Sequence, residues 1–156
     1  LGRYVTAIAN GGTVYQYTLL NKVCDSDGNL IEDFEPEIRN QVDVLDSTGW
    51  DAIHTGMRMV VENLSNFDDF PIEVAGKTGT AQQSPNRPNH ALFVGYAPYN
   101  DPEISIATRI AFGYTSHNTA EYAKKVLAYY FGTEDADVLL NGQAENVGDS
   151  SNSFND

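Results

Sequence analysis

The chain has 156 residues, enough for one domain or a piece of a larger one. Its formal net charge of −13 argues against binding a nucleic-acid backbone, because phosphate neutralisation needs clustered Lys and Arg. The single cysteine, Cys24, rules out an intrachain disulfide and a Cys-based metal site, and no apolar run approaches the roughly 18 residues of a membrane-spanning helix.

Leu1, Tyr4, Val5 and Ile8 fall at helical spacing, and Gly11-Gly12 ends that helix. The chain therefore opens inside a helix and without Met, which reads as a fragment of a longer protein. Val14 to Val23 reads as one strand. Asp25-Ser26-Asp27-Gly28 is turn chemistry, and 29–34 is the return strand of a hairpin. The stretch 35–46 reads as a connection broken by Pro36. Asp46 or Ser47 caps a second helix, whose apolar stripe is Trp50, Ile53, Met57, Val60 and Val61 and which runs to about Asn63. A loop from Leu64 to Pro71 leads to a strand over Ile72 to Gln82. After a loop with two prolines come strands over His90 to Ala97 and Glu103 to Phe112, joined by a short turn and so antiparallel. A closing helix from about Asn118 to Phe131 places Tyr122, Val126, Tyr129 and Tyr130 on one side, and Gly132 ends it. Ser116 and Asn118 are its expected caps. The order of elements predicts an α+β fold, an antiparallel sheet with packed helices. Residues 1–132 form the domain. Residues 133–156 hold six acids and no Lys or Arg, and are expected to be a disordered acidic tail.

The segment Gly76-Lys77-Thr78-Gly79-Thr80-Ala81 carries the chemistry. On a strand, Thr78 and Thr80 share one face while Lys77 and Gly79 share the other. The two glycines remove side chains on both sides of the lysine, so a ligand backbone can approach closely. Lys77 supplies a positive charge, and an exposed edge can receive an extended peptide as an added strand. Two readings fit: a site for an anionic peptide end, or a glycine-containing edge strand with a solvated lysine. A phosphate loop does not fit, because Pro71 stands where its first glycine belongs and no helix follows Thr78. The three histidines lie far apart in sequence. His54 and Glu62 lack ligand spacing, so no metal or cofactor is expected. Trp50 and the tyrosines of the last helix read as core, Arg87 and His90 as part of a solvated loop, and Cys24 as inert.

The string Val74 to Gln82, followed by His90-Ala91-Leu92-Phe93-Val94-Gly95-Tyr96-Ala97-Pro98, resembles the transpeptidase domain of class B penicillin-binding proteins. The resemblance takes in 3–12, with its Asn10-Gly11-Gly12, and the helix around Gly56 to Val61. It ends near Tyr129-Tyr130-Phe131, covering all but the tail. Serine β-lactamases share Lys-Thr-Gly but do not usually continue with Thr-Ala-Gln. The resemblance implies part of a serine β-lactamase/transpeptidase-like fold. It also implies an enzyme that cross-links peptidoglycan stem peptides through a serine acyl-enzyme and binds β-lactams. By the same resemblance Lys77 provides positive potential near the donor carboxylate and serves the proton network of the nucleophile. Thr78 and Thr80 hydroxyls bind that carboxylate, the Thr80 N–H forms half of an oxyanion hole, Gly79 lets substrate lie flat, and Gln82 stands at the cleft rim. It further implies an extracytoplasmic protein anchored to the bacterial cell membrane, with other cell-wall synthesis proteins as partners.

The family's nucleophile stands in Ser-x-x-Lys, and no serine of this chain has a lysine three residues later. The Ser-x-Asn signature has three letter matches, beginning at Ser116, Ser150 and Ser153, and all follow the Lys-Thr-Gly strand instead of preceding it. The nucleophile is therefore expected upstream of Leu1, in the N-terminal half of the domain, and this chain alone is expected to be inactive. The outer edge of the third strand is expected to be bare and open to self-association. Two other functions remain at this stage: a non-catalytic β-lactam-sensing domain of the same fold, and a D,D-carboxypeptidase or β-lactamase in which water replaces the acceptor amine.

Overall fold

The computed structural model describes residues 1–141. Along them run α1 (Gly2–Ala9), β1 (Thr13–Tyr15), β2 (Lys22–Cys24), β3 (Leu30–Asp33), β4 (Ile38–Gln41), α2 (Ser47–Glu62), a 3₁₀ turn (Ser65–Phe67), β5 (Ala75–Ala81), β6 (His90–Ala97), β7 (Ile104–Ile110), α3 (Ser116–Phe131) and α4 (Ala136–Asn141). The expected α+β arrangement is observed. β5, β6 and β7 form an antiparallel sheet in that order, and two separate two-stranded ribbons, β1–β4 and β2–β3, complete the strands.

β6 takes the middle place because both of its faces are apolar. Alternate side chains of a strand point to opposite faces. Phe93 and Ala97 turn to one side and join Val61, Phe67, Ala120, Ala123 and Leu127. Val94 and Tyr96 turn to the other and join Val5, Ile8 and Met57. The sheet is thus covered by α3 on one face and α1 on the other, and α2 contributes Val61 to the first cluster and Met57, Trp50 and Ile53 to the second. α3 approaches closely because its buried face is Thr119, Ala120, Ala123, Leu127 and Ala128, mostly small residues. The tyrosines expected to pack there do not: Tyr122, Tyr129 and Tyr130 are each at least half exposed.

Local chemistry sets the helix ends. Asp46 Oδ1 accepts the Gly49 N–H at 2.8 Å and caps α2. The cap of α3 is Thr115, whose hydroxyl accepts the His117 N–H, in place of the expected Ser116 or Asn118. Gly132 closes α3 at φ 63°, a left-handed conformation that glycine adopts without penalty. Beyond it, α4 lies within the stretch expected to be disordered, and the remainder of that tail, 142–156, falls outside the described residues.

The amino-terminal ribbons correct the sequence reading. The single strand expected over Val14 to Val23 is two strands with different partners. β1 pairs with β4, which lies in the supposed connection 35–46, and β2 pairs with β3. Between them the Thr18 hydroxyl accepts the Leu20 N–H at 3.0 Å, a local bond that competes with ladder formation. The hairpin turn itself is as expected. Asp25 accepts the N–H groups of Asp27 and Asn29, and bonds from Asn29 hold its carboxyl below the usual range.

One packing constraint joins β5 to β6. Gly76 lies opposite Gly95, and the Phe93 ring occupies the space above both. A Cβ on Gly76 would stand 2.5 Å from Phe93 Cζ and 2.8 Å from the Val94 carbonyl oxygen. On the other face Tyr96 is fully buried, and its hydroxyl has no hydrogen-bond partner among the described residues. Burial, with a smaller contribution from Tyr99, pushes its pKa up to about 12.

Gly76→Ala is expected to cost about 1–3 kcal/mol by overpacking, read as a lowered urea midpoint. The Tyr96 phenol, with its folded pKa above the ordinary value, contributes stability that is complete below about pH 10 and is lost as pH rises toward 12. Tyr96→Phe removes an unpartnered hydroxyl, so denaturation curves at stepped pH are expected to show no loss below pH ~10 and a shallower decline above it.

Candidate active site

β5 changes character along its length. Val74 and Ala75 are fully buried, whereas Lys77, Thr80, Ala81 and Gln82 are exposed, with Thr78 and Gly79 half-buried between them. The buried start is clamped. Arg58 donates to the Val74 carbonyl at 3.1 Å and contacts Glu73 and Glu62, while the Tyr99 N–H donates to the Glu73 carbonyl. The ladder with β6 starts at Ala75, opposite Tyr96, and not at the expected Ile72.

No other described strand lies beyond β5, so its second side is an edge. In an antiparallel pair the main-chain groups of alternate residues face the partner and those between face away. Lys77 Nζ donates to the Thr78 carbonyl at 2.7 Å, which places that carbonyl on the outer side. Thr80, two residues on, directs its main-chain groups the same way. The lysine side chain leaves the strand on the face opposite the Thr78 and Thr80 side chains, and by curling to this carbonyl it brings its ammonium to the edge. Ammonium, two hydroxyl-bearing residues and main-chain groups thus converge there. Among the described residues the ion pairs are those of Arg58 with Glu62 and Glu73 and of Lys124 with Glu121, so Lys77 is in none. In a chain of 22 acids and 9 bases, Lys77 is thus an ammonium at a strand edge outside these ion pairs.

The two glycines of the motif do different work. Gly76 is buried under Phe93 and serves packing, a correction to the expectation that it opens the strand to ligand. A Cβ on Gly79 would meet only Leu92 Cβ at 3.6 Å, an ordinary contact. Nothing among the described residues requires glycine there.

Of the two residues assigned to a solvated loop, Arg87 is exposed as expected and His90 is not. His90 is buried and bonded through both ring nitrogens, to Gln83 and to the Phe112 N–H, and Arg87 stacks over the Phe112 ring. Only the apolar run that follows His90 hinted at this burial. Ser116 and Asn118 open α3. The Asn118 amide donates to the Gly113 carbonyl at 2.8 Å, a structural role that leaves Ser116-His117-Asn118 as a letter match. A polar depression lined by Asp51, His54, Thr55, Tyr99 and Asn100 lies near the start of β5, away from Lys77 and Thr80. No cluster of three His, Cys, Asp or Glu able to hold a metal occurs among the described residues.

The family profile of the penicillin binding protein transpeptidase domain matches residues 1–128. Penicillin-binding protein 2A of Bacillus subtilis is 29% identical over 153 residues, 84% of this chain and 21% of that protein. The peptidoglycan D,D-transpeptidase MrdA of Haemophilus influenzae is 30% identical over 152 residues, 83% of this chain and 23% of that protein. Among solved structures, the D,D-transpeptidase domain of a peptidoglycan glycosyltransferase from Eggerthella lenta superposes with a TM-score of 0.69 at 29% identity. It covers 85% of this chain and 32% of its own. The chain spans little more than a fifth of the length of each of these two curated relatives.

Because the Gly79 Cβ position is open, Gly79→Ala is expected to leave stability within about 0.5 kcal/mol of the parent in urea denaturation, unlike the substitution at Gly76.

Proposed function

Since this chain belongs to the penicillin-binding protein transpeptidase domain family, we propose that β5 is the substrate-binding strand of a peptidoglycan D,D-transpeptidase. The observation that carries the proposal is the edge strand itself, with the Lys77 ammonium brought round to the Thr78 carbonyl beside two threonines and an open glycine. A stem peptide ending in D-alanyl-D-alanine is an extended chain with a terminal carboxylate. It matches such an edge: main chain against main chain, carboxylate against ammonium and hydroxyls.

In the proposed reaction a serine hydroxyl attacks the carbonyl carbon of the penultimate D-alanine. The carbonyl oxygen takes the negative charge, the C–N bond breaks, and the terminal D-alanine leaves with a proton on its nitrogen. An amine from a second stem then attacks the ester and releases the serine. In this scheme the Thr80 N–H stabilises the oxyanion, an advantage available only where a donor is already oriented by a sheet. Lys77 holds positive potential near the carboxylate and the nucleophile, Thr78 and Thr80 hydroxyls bind the carboxylate, Gly79 lets the donor lie against the strand, and Gln82 borders the groove. No serine here has the Ser-x-x-Lys spacing, so the nucleophile comes from residues beyond these 156. The substrate places the site outside the cytoplasmic membrane. No helix among the described residues is long and apolar enough to cross one.

The test uses the longer protein that contains this chain. It is expected to form a heat-stable adduct with fluorescent penicillin and to transfer a donor acyl group to an added D-amino acid in preference to water. Lys77→Ala is expected to slow acylation by about 10²-fold without unfolding the protein. This chain by itself is expected to take up no label. Absence of adduct in the longer protein would reject the enzyme reading, and release to water alone would make it a carboxypeptidase or β-lactamase.

A further inference from the structure

His90 is only 8% exposed, and both of its ring nitrogens are bonded to residues outside its own strand. The Phe112 N–H reaches Nδ1 at 3.1 Å. A main-chain N–H can only donate, so Nδ1 is the unprotonated nitrogen. The neutral ring then carries its proton on Nε2, which donates to Gln83 Oε1 at 2.8 Å. Phe112 also lies against the imidazole, with ring centroids 4.8 Å apart, and the Arg87 guanidinium sits 5.3 Å from the Phe112 centroid. Phe112 holds φ 56°, a conformation a bulky residue keeps only when its surroundings impose it.

The position of this cluster gives it a consequence. His90 is paired across the ladder with Ala81, the last residue of β5. Gln83 is two residues beyond that end, and Phe112 belongs to the turn that leaves β7. The imidazole therefore ties the path out of β5 to the turn beyond β7, across the first residue of β6. Between the tie and the start of the strand stand Thr80 and Gln82.

We propose that His90 is a positioning residue of the acyl-transfer site: through Gln83 and Phe112 it fixes the exit of β5 and so the orientation of Thr80 to Gln82 at the groove. The inference rests on reading β5 as the substrate strand. Gln83 is exposed, so its side chain can be removed with little risk to folding. The rate constant for acylation by fluorescent penicillin, measured on the longer protein together with its melting temperature, provides the test. Gln83→Ala is expected to lower that rate constant about three- to tenfold at unchanged melting temperature, the size of one net hydrogen bond. His90→Leu is expected to lower it at least as far. Adding Gln83→Ala to His90→Leu is expected to cause no further loss, because both remove the same tie. His90→Gln keeps a donor and an acceptor on one amide and is expected to recover most of the rate. Wild-type rates in Gln83→Ala, or losses that multiply in the double variant, would overturn the proposal while leaving the enzyme reading intact. Melting temperature and rate falling together in the His90 variants, with Gln83→Ala silent, would reduce His90 to a packing role. A wild-type protein that fails to acylate would reject both readings.

Discussion

The Phe93 ring fills the space that Cβ atoms at Gly76 and Gly95 would occupy, and the rest of the sheet depends on that contact. It locks β5 to β6 in one register, because a shift of one residue would put an alanine or a lysine in the place of Gly76. The same ring stacks on Phe67 at 5.8 Å between centroids and enters the cluster under α3. β5 is thereby held firmly on one side and left as an edge on the other. An edge strand anchored in this way is rigid without being covered, which is what a peptide-binding strand requires.

Two glycines three residues apart in one motif sit in opposite packing environments. Gly76 belongs to the interior and is demanded by an aromatic ring. Gly79 is demanded by nothing among the described residues. The chain's charge makes a parallel division. Acids exceed bases by 13, and the buried start of β5 is held by Arg58 with two glutamates, while Lys77 at the open part of the strand bonds only a carbonyl. On an acidic molecule, the surrounding negative charge disfavours anions over most of the surface, and an ammonium outside an ion pair is a local exception.

The two ends of β5 are fastened by different means. At the start, charged and main-chain groups of α2 and of the turn after β6 take the carbonyls of Glu73 and Val74. At the far end a neutral imidazole joins two loops. The exposed middle of the strand lies between these fastenings.

Periodicity and turn chemistry in the sequence were sufficient for α1, α2, the β6–β7 pair, the Asp25 turn and the Gly132 stop, because each is set by residues within a few positions of one another. The string around Lys77 was legible for the same reason, as was the absence of a Ser-x-x-Lys spacing. Pairing across distance was not. β4 looked like a connection because a short exposed strand has no apolar alternation to reveal it, and its partner β1 lies more than twenty residues away. The tyrosines of α3 sit at core-like spacing, but the sheet accepts the small alanine face, since close approach of helix to strand buries more than bulky side chains would allow. Only the tertiary structure could decide that Gly76 packs while Gly79 is open, and that His90 lies inside. Each depends on a neighbour brought from another element: Phe93, Leu92, and the turn that carries Phe112.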